Sequence, residues 1–197
     1  MEKTIWKPGT MLYPLPAIMV SCGSEKHEYN IITIAWTGTI CSDPPMTYIS
    51  VRKERHSHQI IKKNKAFVMN LTTEALAFAT DFCGVKSGRE VDKFSHLKLT
   101  PVPATKVPAP LIHEAPVNIE CRVTQIIELG SHDMFMAEVV AVHADTSLID
   151  EKGKFHLDNA NLLCYSHGEY YGLKRSLGKF GYSIMKKKTR RNNRKKP

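Results

Sequence analysis

Residues 30–71 read NIITIAWTGTICSDPPMTYISVRKERHSHQIIKKNKAFVMNL, and the order of strand-type and turn-type residues in them decides the fold. Residues 29–37 (YNIITIAWT) are rich in β-branched and aromatic side chains, which fit a pleated, half-buried surface. Gly38 and then Asp43-Pro44-Pro45 punctuate a loop. Residues 46–52 (MTYISVR) alternate, with Thr47, Ile49 and Val51 on one face and Met46, Tyr48 and Ser50 on the other. Residues 66–71 (AFVMNL) predict a further strand. Between them, RHSHQIIKKNK predicts a short helix, with Ser57 as N-cap and Lys62-Lys63 suited to the negative end of its dipole.

Working outward, residues 16–22, 117–128, 134–143 and 162–166 also read as strands. The turn from Leu129 to Asp133 makes the two long ones an antiparallel hairpin. A second helix is predicted over 73–82, capped by Thr72 or Thr73 and ended by Gly84. Residues 85–97 are polar with Gly88 inside, and four prolines between 101 and 110 predict an extended surface connection. Many short strands without β-α-β alternation define a mainly β chain, an antiparallel barrel with a few peripheral helices.

At 197 residues the chain suits one sizeable core, here residues 1–185 as a single domain. The net charge of +9 suggests nucleic acid, but its distribution does not. Residues 186–197 (KKKTRRNNRKKP) hold eight basic residues and no acid, leaving 20 basic and 19 acidic residues elsewhere. Such a like-charged tail is expected to be disordered, and it is the one part suited to phosphate contacts. The five cysteines are widely spaced without a C-x-x-C pair, which suits reduced, mostly buried thiols. The first residues lack a secretory pattern and no apolar run has spanning length, so a cytoplasmic protein is expected.

Absent motifs narrow the chemistry. No G-x-G-x-x-G, P-loop, H-E-x-x-H or G-x-S-x-G occurs, and His56 and His58, two apart, do not share a helical face. Neither a metal site nor a side-chain nucleophile is expected. The run from Ser50 to Ser57 gathers hydroxyl, guanidinium and imidazole groups where a strand gives way to a helix. Free backbone N–H groups and the helix dipole favour an anion there. A solvated basic turn would read the same way, and both readings stay open on the residues alone.

The runs NIITIAWTG, MTYISVRKERHSHQII and FVMNL together resemble the FMN-binding core of the flavin reductase-like family, which includes flavoredoxins and ferric or flavin reductases. KSGREVDKF at 86–94 and GSHDMFMAEVV at 130–140 resemble later family motifs in the same order. The resemblance implies an antiparallel, Greek-key-like split β-barrel, homodimeric, with FMN near the subunit interface. It implies that Asn30, Thr33, Ala35, Trp36 and Thr37 line the ring and ribityl side, and that Ser50, Arg52, His56 and Ser57 hold the phosphate. Asn70 would brace the site, while Lys86, Ser87 and Lys93 would approach the flavin or close the pocket, from this subunit or its partner. Trp36 has a core role as its rival, and His132 orients a turn or faces a nicotinamide. Cys41 follows the flavin-lining strand and is expected near the ring edge. The implied activity carries electrons from NAD(P)H through FMN to flavin, ferric complexes or another acceptor. An electron carrier without NAD(P)H activity, as in flavoredoxins, is the near alternative. A nucleic-acid-binding barrel using the tail is the remote one.

Overall fold

The structure is a computed structural model and describes residues 1–185. The basic tail at 186–197 lies outside the described residues. The strands pair antiparallel, beginning with β1 (Leu15–Pro16), β2 (Ile18–Cys22), β3 (Asn30–Ile34), β4 (Thr37–Ser42) and β5 (Pro45–Arg52). Helix α1 (His56–Asn64) leads into β6 (Ala66–Leu71), and α2 (Ala77–Val85) and α3 (Lys93–Leu97) follow. A small ribbon, β7 (Pro101–Val102) and β8 (Leu111–Ile112), precedes the long hairpin of β9 (Val117–Glu128) and β10 (His132–Ala144). The chain then forms β11 (Leu163–Ser166) and β12 (Glu169–Gly172), which build a separate three-stranded sheet with β1.

The main sheet has the order β3-β2-β6-β9-β10-β5-β4. Its two edge strands, β3 and β4, are joined by Ala35 and Trp36 alone. The sheet must therefore curl until its edges meet, without a ladder between them. This is a mainly β, split-barrel architecture. Residues 29–37, expected as one strand, are two strands on opposite edges, and the break between them is where the barrel opens. Residues of alternate parity separate the cores. Ile18, Val20 and Cys22 point into the barrel with Ile49, Val51, Phe67 and Phe135, whereas Met19 and Ile31 meet α2 and α3 outside.

Several local expectations change. Ser57 is buried inside α1, and Arg55 stands at the N-cap without a side-chain bond to the helix. The Ser57 Oγ is already taken by Asn30 Nδ2 at 2.7 Å, so a tertiary bond displaces the cap. The second helix runs through Gly84 to Val85. A Cβ at Gly84 would stand 3.3 Å from Thr33 Cβ, so glycine there lets α2 sit close on β3. Thr33 Oγ1 also donates to the Thr80 carbonyl. The polar stretch at 85–97 contains α3, capped by Asp92, which accepts from Ser95 N at 3.2 Å. The proline-rich segment is extended but half-buried, with Val107 and Ala109 packed against β6. Its anchor is the buried Glu120, which accepts from Thr105 N at 2.8 Å, Lys106 N at 2.6 Å and Val107 N at 3.1 Å. Among the described residues no helix is long and apolar enough to cross a membrane.

Candidate functional site

Two cavities open at the barrel split. The larger, about 430 Å³, is lined by strand residues Thr33, Ala35, Trp36, Ser50 and Arg52, by Asp81 and Gly84 of α2, and by His132, Tyr165 and Tyr170. The smaller, about 260 Å³, lies beneath the start of α1. Asn30, His56, Ser57, Lys86, Ser87, Arg89 and Lys93 line it. Ile32 and Arg55 line both cavities. Arg55 reaches across from the loop after β5 and donates to the Gly84 carbonyl, so it links that loop to α2 at the junction.

The aromatic wall of the larger cavity is ordered by pairing in the sheet. His132 opposes Arg52 in the β10–β5 ladder, and its ring stacks on Trp36 at 6.4 Å with 7° between planes. Trp36 is 36% exposed, so its indole is presented to the opening rather than spent in the core. Ser50 N donates to the Trp36 carbonyl at 2.9 Å, which fixes the connection between the edge strands. Burial and then the Arg52 charge push the His132 imidazole below its usual pKa, so it stands neutral at pH 7.

The smaller cavity is a cation-rich cup, in which Arg55, Lys86, Arg89 and Lys93 outnumber Glu54 and Glu90. Lys93 is only 3% exposed, and its Nζ donates to the carbonyls of Ile31 at 2.7 Å and Cys83 at 2.9 Å. No ion pair of Lys93 with a carboxylate occurs among the described residues. Burial, with the Arg55 charge adding to it, depresses its pKa to about 8, which leaves it mostly charged at neutral pH. Burial and the charges of Arg89 and Lys93 likewise lower His56. A cup whose own cations raise one another's cost is satisfied by an anion. Gly88 brings the covering loop onto Asn30, since a Cβ there would come within 2.2 Å of Asn30 Oδ1.

The loop carrying these groups is braced from below. His58 Nε2 and Asp133 Oδ2, both buried, are 2.8 Å apart, and Lys53 Nζ stands 3.3 Å from Asp133 Oδ1. Asp133 thus ties two residues of the segment 53–58 to the strand that carries His132.

The expected site residues fall into two sets. Thr33, Ala35, Trp36, Ser50 and Arg52 meet at the larger cavity, and Asn30, His56, Ser57, Lys86, Ser87 and Lys93 meet at the smaller one. Ser50 and Arg52, expected beside the phosphate with His56 and Ser57, face the aromatic side instead. Lys86, Ser87 and Lys93 reach the cup from the same chain. Two residues lie elsewhere. Thr37 Oγ1 donates to the Tyr48 carbonyl, and neither cavity includes Thr37. Asn70 Nδ2 donates to Met19 O at 2.9 Å and Ser21 Oγ at 3.0 Å, and its Oδ1 accepts from Ile112 N at 3.0 Å. Asn70 is a core brace and belongs to neither cavity lining. Cys41 lies on edge strand β4 with its thiol directed to the Asp43 carbonyl at 3.3 Å, outside both linings. Arg55, Arg89, Tyr165 and Tyr170 were not expected. Arg55 stood inside the flagged run, and the tyrosines had no local signal because a separate sheet delivers them. Among the described residues no cluster suited to a metal ion occurs.

A slot with an aromatic wall, which also carries Arg52 and Asp81, thus adjoins a cation-rich cup across Ile32 and Arg55. The chain belongs to the flavin reductase-like family, whose domain description matches residues 10–174. It is similar to the flavoredoxin of Desulfovibrio vulgaris (Miyazaki F), with a TM-score of 0.86 and 30% identity over 94% of this chain and all of that one. The flavoredoxin from Methanosarcina acetivorans follows at a TM-score of 0.83 and 25% identity, over 94% of this chain and 100% of that one. The FMN reductase (NADH) RutF of Acinetobacter baylyi is 25% identical over 132 residues, 67% of this chain and 62% of that protein.

Proposed function

We propose that this chain binds FMN across the two cavities and works as an FMN-dependent oxidoreductase, taking electrons from NAD(P)H and delivering them to a further acceptor. The observation that carries the reading is the junction at Ile32 and Arg55, two residues that line both the aromatic slot and the cation-rich cup and so set them side by side. When bound, FMN supplies the redox chemistry, accepting a hydride or single electrons at its ring.

The residues themselves bind, orient and exclude water. In the cup, Lys93, Lys86, Arg89, Arg55 and Ser57 hold the phosphate, with bonds to a charged acceptor stronger than neutral ones. In the slot, Trp36 and His132 offer flat apolar surface, and Thr33, Ala35 and Ser50 line the polar edge. Backbone N–H groups along β3 and its exit are suited to stabilising negative charge on a reduced ring. The two cavities total a volume within the range that takes a single drug-sized ligand. No side chain acts as a nucleophile in this scheme. The reading includes a homodimer, for which the light-scattering mass of the purified protein is the check.

The name of RutF as an NADH-dependent FMN reductase supports a nicotinamide donor. The 0.86 TM-score to a flavoredoxin favours the second reading, an electron carrier reduced by another protein. Anaerobic addition of NADH or NADPH to the FMN-loaded protein separates the two. Loss of the flavin bands supports the reductase; bands that persist until dithionite is added support the carrier.

A further inference from the structure

Strand parity carries two polar side chains of β5 out of the barrel core. Ser50 and Arg52 share the face opposite Ile49 and Val51, and both line the larger cavity. Arg52 ends the strand, and its cross-strand partner is His132 of β10, which lines the same cavity. Within the chain the guanidinium has little to bind. Its one ion pair among the described residues is with Glu54 at 3.6 Å, and the two side chains are 58% and 64% exposed. Such a pair is weak and screened by salt, so most of the guanidinium N–H groups stay available. Beside it the His132 ring lies flat against Trp36, with Nδ1 2.8 Å from Ser131 Oγ. In the neutral ring, Nδ1 accepts from that hydroxyl and Nε2 carries the proton. Nε2 has no partner among the described residues. Two donors with little to bind thus stand together at the aromatic end of the site, apart from Lys86, Arg89 and Lys93 of the cup.

We propose that Arg52, with His132 Nε2 beside it, binds the carboxylate or phosphate of the second molecule that exchanges electrons with the flavin, and so selects anionic partners over neutral ones. The role toward flavin rests on the FMN reading above. In that reading the cup holds the phosphate of FMN, and Arg52, in the other cavity, is left free for a different anion. A guanidinium matches the oxygens of a carboxylate or phosphate as a fork, and such charge-assisted bonds are stronger than neutral ones. The carboxylate in the same cavity, Asp81 of α2, repels an anion and so favours the β5–β10 side for it.

The test uses FMN-loaded protein with Arg52→Gln, Arg52→Lys and, as control, Arg122→Gln, an exposed cation outside both linings. The reduced protein is mixed anaerobically with ferric–EDTA, a carboxylate chelate, or with neutral benzoquinone. Each flavin gives one electron to each of two chelates and its protons to water, whereas benzoquinone takes both electrons and two protons. The oxidised protein is mixed with NADPH, the phosphate-bearing probe. Arg52→Gln slows the reaction with ferric–EDTA, with NADPH or with both by about tenfold, and leaves benzoquinone within about twofold. Arg52→Lys restores part of the rate, and Arg122→Gln changes none. A loss with ferric–EDTA alone identifies a carboxylate acceptor, and a loss with NADPH alone a phosphate-bearing donor. Rates with both anionic probes within twofold of the unaltered protein overturn the proposal. So does an equal loss with benzoquinone, which marks a residue acting through the flavin. In FMN-free protein at constant pH, citrate or inorganic phosphate shifts the His132 imidazole resonance, and Arg52→Gln abolishes that shift. No shift with either anion overturns the anion site whatever the kinetics give. An unaltered protein that holds no FMN overturns the functional reading beneath, while the titration of FMN-free protein still decides the anion site.

Discussion

Burying Lys93 without a carboxylate partner has a measurable signature in the FMN-free protein. Its folded-state pKa is about 8, against an ordinary value of 10.5. Between those values the unfolded chain binds a proton that the folded chain has shed, so this residue makes stability rise with pH across that window. The full difference of about two and a half units corresponds to about 3 kcal/mol, taken as an upper bound. Cys22, pushed up to about 12 by burial, and Cys83, pushed up to about 11, act in the opposite sense. They keep protons in the folded state that the unfolded state loses, so they make stability fall as pH rises above about 9. The raw profile therefore mixes both effects. The clean quantity is the difference between the unaltered protein and Lys93→Met, measured by urea unfolding without FMN at pH 7, 8, 9 and 10. That difference should grow in favour of the unaltered protein by up to about 3 kcal/mol between pH 7 and pH 10. Phosphate in the cup raises the Lys93 pKa, so FMN affinity should be full below pH 8 and decline above it, a slope that Lys93→Met abolishes. A difference that stays flat with pH would refute the assignment of Lys93 as an uncompensated buried cation.

Three further outcomes follow from individual residues. Arg55→Leu removes the group at the junction, and FMN affinity should fall about tenfold or more while riboflavin, which lacks the phosphate, changes less; fluorescence titration with both flavins measures it. Asp133→Asn loosens the segment 53–58, and the ratio of riboflavin to FMN dissociation constants should shrink, whereas a purely global destabilisation leaves that ratio unchanged. Glu120, which also meets His143 Nε2 at 2.6 Å, is held at about 2 because its backbone and side-chain bonds outweigh burial. Its contribution to stability is complete above about pH 4.5 and is lost as pH falls toward 2; Glu120→Gln should cost on the order of 3 kcal/mol at pH 7 in a urea titration, with the proline-rich segment released.

Much of the barrel was legible because its signal is local. Alternation in MTYISVR and VNIECRV, and the turn before His132, identify strands without knowledge of their neighbours. The break at Ala35–Trp36 was not legible, because both halves of 29–37 carry strand-type residues and only closure of the sheet forces them apart. Gly84 read as a stop because glycine usually ends helices, yet here it serves the close approach of α2 to Thr33. Ser57 read as a cap, but Asn30, 27 residues away, takes its hydroxyl. The cup was largely visible in the composition of 50–57 and 86–93, since cations and hydroxyls cluster in sequence there. Its wiring was not. Arg55 looked like one charge in a run, and Tyr165 and Tyr170 reach the larger cavity on a separate sheet that no spacing rule connects to it. Asn70, which the resemblance implied as a brace of the site, spends its amide on Met19, Ser21 and Ile112.

The central claim, that slot and cup together hold FMN through its ring and its phosphate, is tested most directly by titrating the purified 197-residue chain with FMN and with riboflavin, followed by desalting and an absorption spectrum. The account predicts that FMN is retained near one equivalent per chain and that riboflavin, lacking the anion for Lys93 and Arg55, binds at least tenfold more weakly. Equal affinity for the two flavins, or no retained FMN, would contradict it.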